Sequence, residues 1–202
     1  MIIDLTMNID KNTPVYPGDT SFIEKATAIF KRDGNNVTSL YMSNHFGTHI
    51  DSPLHMLENG KKLDEYNIED FVGLTTLIDC HDKVITENCI PQSINTPFLF
   101  IRTLWWKNYK NTKLFYSKNP VITPKCAQKI ASLNIKGLIL DSWTPDNFPY
   151  EAHKILFKNN IFIVENTINS DNLPKQFKIY ALPIKLTNAN GAPARVIAEF
   201  LV

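Results

Sequence analysis

Apolar residues along this chain come in short runs closed by a polar residue, not in long helical stripes. Residues 97–103 run Pro-Phe-Leu-Phe-Ile-Arg-Thr, 137–141 run Gly-Leu-Ile-Leu-Asp, and 161–165 run Ile-Phe-Ile-Val-Glu. Four or five apolar positions without alternation predict strands buried on both faces. Residues 74–79 predict another such strand, and 1–7, 22–32, 37–45, 179–186 and 196–202 predict five more. Asp33-Gly34-Asn35 suits the turn of a hairpin joining 22–32 to 37–45. Helical spacing is confined to three places. Cys126, Ala127, Ile130, Ala131 and Leu133 form one apolar face behind Thr123 as N-cap and Pro124 at N1, and that helix ends by Asn134. Residues 149–158 predict a second helix, opened by Pro149 and closed by Asn159-Asn160, and 67–71 a short third. Residues 13–20, around Pro17-Gly18, and 188–195 read as loops. Strands outnumber helices and interleave with them. The expected fold is therefore α/β: a single domain over 1–202, with a mixed central sheet or flattened barrel-like β core and a few flanking helices.

Composition narrows the function without naming it. The 202 residues are 44% hydrophobic and 20% charged, as in an ordinary globular protein. Lys+Arg 21 against Asp+Glu 20 leaves +1, which gives no electrostatic case for nucleic acid or an anionic membrane. Cys80, Cys89 and Cys126 lack Cys-x-x-Cys spacing and suit a reducing compartment. The first residues carry no basic, apolar leader, and no apolar stretch approaches 18 residues, so the expected location is cytoplasmic. Gly-x-Gly-x-x-Gly, a P-loop and Gly-x-Ser-x-Gly are all missing.

The chemistry is concentrated in residues 43–55, Ser-Asn-His-Phe-Gly-Thr-His-Ile-Asp-Ser-Pro-Leu-His, which hold three of the five histidines. Imidazole and carboxylate are ligands for Zn²⁺ or Mn²⁺. A helix would align His45 with His49 but turn Asp51 away, and Pro53 would break it. In an extended chain His45, His49, Asp51 and His55 share parity, and so one face, until Pro53. Pro53 redirects the chain before His55, which suits a group beside the metal that accepts and donates protons; a fourth ligand is the alternative. A second site at Cys80-His81-Asp82 lacks partners.

His45-Phe-Gly-Thr-His49-Ile-Asp51-Ser-Pro-Leu-His55 resembles the signature of the metal-dependent cyclase family, which includes bacterial kynurenine formamidases. The resemblance extends along nearly the whole chain. Thr13-Pro-Val-Tyr16-Pro-Gly-Asp19 is similar to the family's Pro-x-aromatic-Pro-Gly-Asp element, with Tyr16 where formamidases commonly carry Trp. His153-x11-Glu165 is similar to the family's second ligand block, and Gly191-x-Pro-x-Arg195 to its C-terminal element. Arg102-Thr-Leu104-Trp105 stands where the family has Arg-Thr-Gly-Trp, which implies a differently shaped loop; the loop over 141–149 looks short.

The resemblance implies a swivelling β/β/α-type fold and a homodimer or larger oligomer. It further implies two ions per subunit, on His45, His49, Asp51, His153 and Glu165, with His55 as acid/base. Tyr16 and Phe46 are expected to border the substrate. The expected reaction is metal-dependent hydrolysis of a C–N amide bond in a small molecule, as in kynurenine formamidases. Hydrolysis of a lactam or cyclic imide, and a non-catalytic scaffold stabilised by metal, are the rival readings. The parts of Arg195, as carboxylate clamp or salt bridge, of Asp141, as site residue or turn cap, and of Trp105-Trp106, as platform or packing, stay open.

Overall fold

The computed structural model describes residues 1–201. In chain order the elements are β1 (Ile2–Asp4), β2 (Ile23–Ala28), α1 (Phe30–Asp33), β3 (Val37–Tyr41), β4 (His49–Asp51), β5 (Val72–Asp79), β6 (Val84–Ile85), β7 (Phe98–Arg102), α2 (Thr112–Ser117), β8 (Val121–Ile122), α3 (Pro124–Ser132), β9 (Gly137–Leu140), α4 (Glu151–Lys158), β10 (Phe162–Glu165), β11 (Gln176–Pro183) and β12 (Gly191–Glu199). Strands β5, β7, β9 and β10 run parallel; β4, β12 and β11 pair antiparallel and return to β5. Because β12 pairs with both β4 and β11, the sheet closes on itself as a flattened barrel, and β1 is added along the far end of β12. Closure leaves the ring without open edges. This is the mixed, barrel-like α/β core that the strand pattern predicts.

The unalternating runs are explained by two cores. Phe98, Phe100, Ile139, Phe162, Val164 and Ile50 point into the ring. Their sequence neighbours Leu99, Ile101, Leu138, Leu140 and Ile163 point outward and pack under Ala127, Ile130, Leu156 and Phe157 of α3 and α4. Phe98, Phe100 and Phe162 are fully buried, each contributing about 1.5–3 kcal/mol of transfer free energy. Thr123 caps α3 as its sequence predicts, its Oγ1 accepting from Cys126 N at 3.2 Å.

The strand expected over 37–45 ends at Tyr41, and His45 lies in a bend before β4. Gly47 sits at φ +64°, a turn that a continuous strand excludes. Parity along one strand is therefore not what brings His45 to His49. Within the segment expected as a loop at 188–195, residues 191–195 belong to β12, since the edge of β4 needs their backbone partners. The short helix α2 and the β6–β8 pair carried no readable pattern. Leu104 adopts φ +58°, the left-handed conformation that suits Gly, and its N–H donates to Asp141 Oδ2 at 2.9 Å. The loop thus makes a glycine-like turn with a leucine at its corner.

Candidate metal centre

Strand parity and register assemble the centre. With Ile50 inside the ring, His49 and Asp51 of β4 face outward, and β10 sets Glu165 directly across from His49. His153, on the buried face of α4, arrives from the layer above. The bend before β4 then swings His45 back so that its Nδ1 is 2.6 Å from Asp51 Oδ1. His49 Nε2 lies 3.2 Å from the same oxygen and 3.5 Å from Glu165 Oε2. His153 Nε2 lies 3.4 Å from Glu165 Oε1.

These side chains form two groups, His45–His49–Asp51 and Asp51–His153–Glu165, each with ligand atoms within 4.8 Å of one another and both sharing Asp51. All five residues brought together are those the sequence points to. The donor set of imidazoles and carboxylates suits a divalent cation. Glu165 Oε1 fits the same reading, because it is buried without a hydrogen-bond partner. A buried carboxylate oxygen without a hydrogen bond, its nearest imidazole nitrogen 3.4 Å away on His153, is costly unless a cation takes it up.

Each imidazole is turned by a partner outside the groups. His49 Nδ1 donates to Gly47 O at 2.9 Å, which leaves Nε2 facing the carboxylates. Asp146 Oδ1 lies 2.5 Å from His153 Nδ1, and its Oδ2 accepts Ala152 N–H at 2.6 Å. One carboxylate thereby aims His153 and pins the start of α4. Asn190 Oδ1 is 3.1 Å from His45 Nε2. Neither Asp146 nor Asn190 carried a sequence signal, since both lie in segments that read as plain turns.

The buried charges of the centre act directly on one another. Burial disfavours charged His49, yet Asp51 and Glu165 overcome that and raise it to about 9. Burial likewise opposes charge on His153, but Asp146 and Glu165 raise it to about 9. Burial pushes Asp51 up, and the imidazoles of His45 and His49 hold it well below the usual carboxylate range. Glu165 is raised, by burial first and by neighbouring Asp51 second. His55 differs: burial lowers it to about 4, although Asp51 acts the other way. Its ring centroid is 4.1 Å from that of His45, and it joins neither ligand group.

The centre forms the floor of a cavity of about 410 Å³. Tyr16 and Phe46, the two aromatics expected at the border, line it, together with Tyr116, Trp143 and Tyr150. Tyr16, Tyr116 and Trp143 pack ring to ring at 5.1–5.7 Å. The last three aromatics escaped the sequence reading because they lie far along the chain from the histidines of residues 43–55.

Other residues left open resolve as structure. Arg195 pairs with Asp4, Nη2 to Oδ2 at 2.7 Å, away from the cavity. Asp141 is buried and accepts from Thr103 N and Oγ1, Leu104 N and Ser170 Oγ. Trp105 Nε1 donates to Phe115 O as packing. His81 is exposed and belongs to neither ligand group. No helix among the described residues is long and apolar enough to cross a membrane.

Comparison with known proteins finds relatives along nearly the whole chain. The Cyclase family model matches residues 3–147. The kynurenine formamidase of Bacillus cereus (strain ATCC 10987) is 30% identical, the match covering 96% of this chain and 95% of that one. The Bacillus mycoides kynurenine formamidase is also 30% identical over the same shares. Among solved structures, one described as a potential metal-dependent hydrolase with cyclase activity superposes with TM-score 0.82 at 27% identity, covering 98% of this chain and 96% of the other. Isatin hydrolase A from Labrenzia aggregata superposes with TM-score 0.86 at 25% identity, covering 98% and 93%.

Proposed function

The chain belongs to the cyclase family, and we propose that this metal-dependent amide hydrolase removes the formyl group from an N-formyl aryl amine, as its kynurenine formamidase relatives are named for doing. The observation that carries the reading is the convergence of two ligand triads on Asp51 at the floor of an aromatic-walled cavity. His45, His49 and Asp51 would hold one divalent ion; Asp51, His153 and Glu165 would hold a second, each Zn²⁺ or Mn²⁺. Such ions, when bound, lower the pKa of water and polarise an amide carbonyl.

The chain's own groups supply the rest. His55, kept neutral by burial, accepts a proton on a ring nitrogen and passes it to the departing amine nitrogen. Tyr16, Phe46 and Trp143 hold the flat aryl ring and keep bulk water off the reacting bond. An open cavity beside the ligands favours catalysis over a closed, purely structural metal site.

The fold likeness to isatin hydrolase A favours a second reading, opening of a cyclic aryl amide at the same centre. We further assign the protein to the cytoplasm and to a homodimer or larger assembly. Support for assembly comes from the β2–β3 arm, a two-stranded ribbon marginal by itself, whose Ile23, Leu40 and Tyr41 are exposed, as is Phe30 of the intervening α1.

The test is metal analysis of the purified protein combined with turnover of N-formylkynurenine, formanilide and isatin. Formamide hydrolysis that chelation abolishes and Zn²⁺ or Mn²⁺ restores is the expected result. Turnover of isatin alone would transfer the assignment to the cyclic amide.

A further inference from the structure

The cavity over the metal centre carries an unbalanced charge pattern. None of the residues lining it is a lysine or arginine, while one carboxylate outside the ligand groups, Asp19, stands among them. Asp19 is exposed and enters none of the Lys or Arg ion pairs among the described residues. It is held in place by a tight turn: Asp19 N donates to Tyr16 O at 2.9 Å across Pro17 and Gly18, and Gly18 takes φ +101°, a conformation few other residues adopt. That turn fixes the backbone of Asp19 three residues beyond Tyr16, and both residues line the cavity. Lys113 lines a separate open groove that shares Tyr16, Tyr116 and Trp143 with the cavity.

We propose that Asp19 sets the charge selectivity of this site: it admits aryl amides whose far end is neutral or carries an ammonium group, and disfavours those ending in a carboxylate. The inference rests on the aryl formamide reading and adds the substrate class. The ligand carboxylates, Asp51 and Glu165, belong to the cavity floor, where the two divalent ions they would hold outweigh their charge and leave the floor positive. Asp19 is then the charge left at the mouth. An ammonium at the mouth gains an unpaired carboxylate partner, whereas an anionic tail there meets like charge and no cationic side chain. The aromatic wall beside Asp19 adds a favourable surface for a cation and none for an anion.

The experiment uses the metal-loaded protein and three para-substituted formanilides: unsubstituted, 4-aminomethyl (cationic) and 4-carboxy (anionic). The quantity read is the ratio of kcat/KM for the cationic over the anionic compound. We expect a ratio above about tenfold at low salt, shrinking as ionic strength rises. Asp19→Asn should lower it by about three- to tenfold, and Lys113→Ala should not lower it. A ratio near one, or a ratio indifferent to Asp19→Asn, overturns the proposal. Absence of turnover on all three would reject the formamidase reading instead. In that event the same ratio is read as dissociation constants for the three product anilines, from quenching of tryptophan fluorescence with Trp143 in the cavity wall. Equal affinities would then overturn the charge selectivity, and tighter binding of the cationic aniline would sustain it.

Discussion

A Cβ placed on Gly191 would stand 2.6 Å from Cε1 of His45 and 2.7 Å from the carbonyl oxygen of Ile50. Gly191 opens β12 and is paired there with Asp51, so the backbone of one sheet strand forms the seat of an imidazole from the bend before β4. The neighbour on one side is backbone and cannot yield, which leaves the ring of His45 to move. Gly191→Ala should therefore displace His45 and reduce metal retention, with a destabilisation of about 1–3 kcal/mol from overpacking. Metal content per chain, read beside Tm on the same sample, checks this; full metal content with normal stability would contradict it.

Asp146→Asn keeps the shape of the contact to Ala152 N but weakens the acceptor that aims His153. Outer partners of metal-binding imidazoles typically support metal affinity by about 10–100-fold. The expected outcome is a loss of that order in Zn²⁺ affinity by competition with a chromophoric chelator, while His153→Ala removes binding at that position altogether. An Asn variant that binds Zn²⁺ like the parent would show that Asp146 serves only the start of α4.

His55→Ala separates proton transfer from ligation. The residue stands against His45 yet outside both ligand groups. A proton-transfer part predicts complete metal content and a fall in kcat of about 10²–10⁴. Metal loss in this variant would instead make His55 a ligand.

Away from the centre, Asp79 offers a pH test of stability. The side-chain hydrogen bond from Arg102, helped by Lys175 and opposed by partial burial, lowers its carboxyl to about 2 from an ordinary 3.8. A folded pKa below the unfolded one means that the carboxylate stabilises the fold fully above about pH 4. That contribution fades as pH falls from there through about 2. The Tm difference between the parent and Asp79→Asn should be constant from pH 5 to 7 and shrink below pH 4. A difference that grew on acidification would reverse the assignment.

What the sequence determined by itself is what short-range physics controls. Runs such as Phe98–Ile101 and Phe162–Val164 have no polar position to expose, so they can only be strands covered on both faces. Thr123-Pro124 starts α3 because capping depends on neighbours within one turn. The ligand residues were legible because imidazoles and carboxylates that are apart in most chains are crowded here into residues 45–55, with His153 and Glu165 added through family resemblance. Tertiary structure decided the rest. Strand parity alone could not bring His45 to His49, since β3 ends at Tyr41; the bend at Gly47 and the seat at Gly191 do so. Register between β4 and β10 set Glu165 across from His49, a fact that hydrogen bonds between distant segments create and no local pattern encodes. Asp146, Asn190, Tyr116, Trp143 and Tyr150 acquire meaning only when closure of the barrel gathers loops from opposite ends of the chain around one cavity. In isolation each reads as a turn or packing residue, because its chemistry lies in which partner it meets.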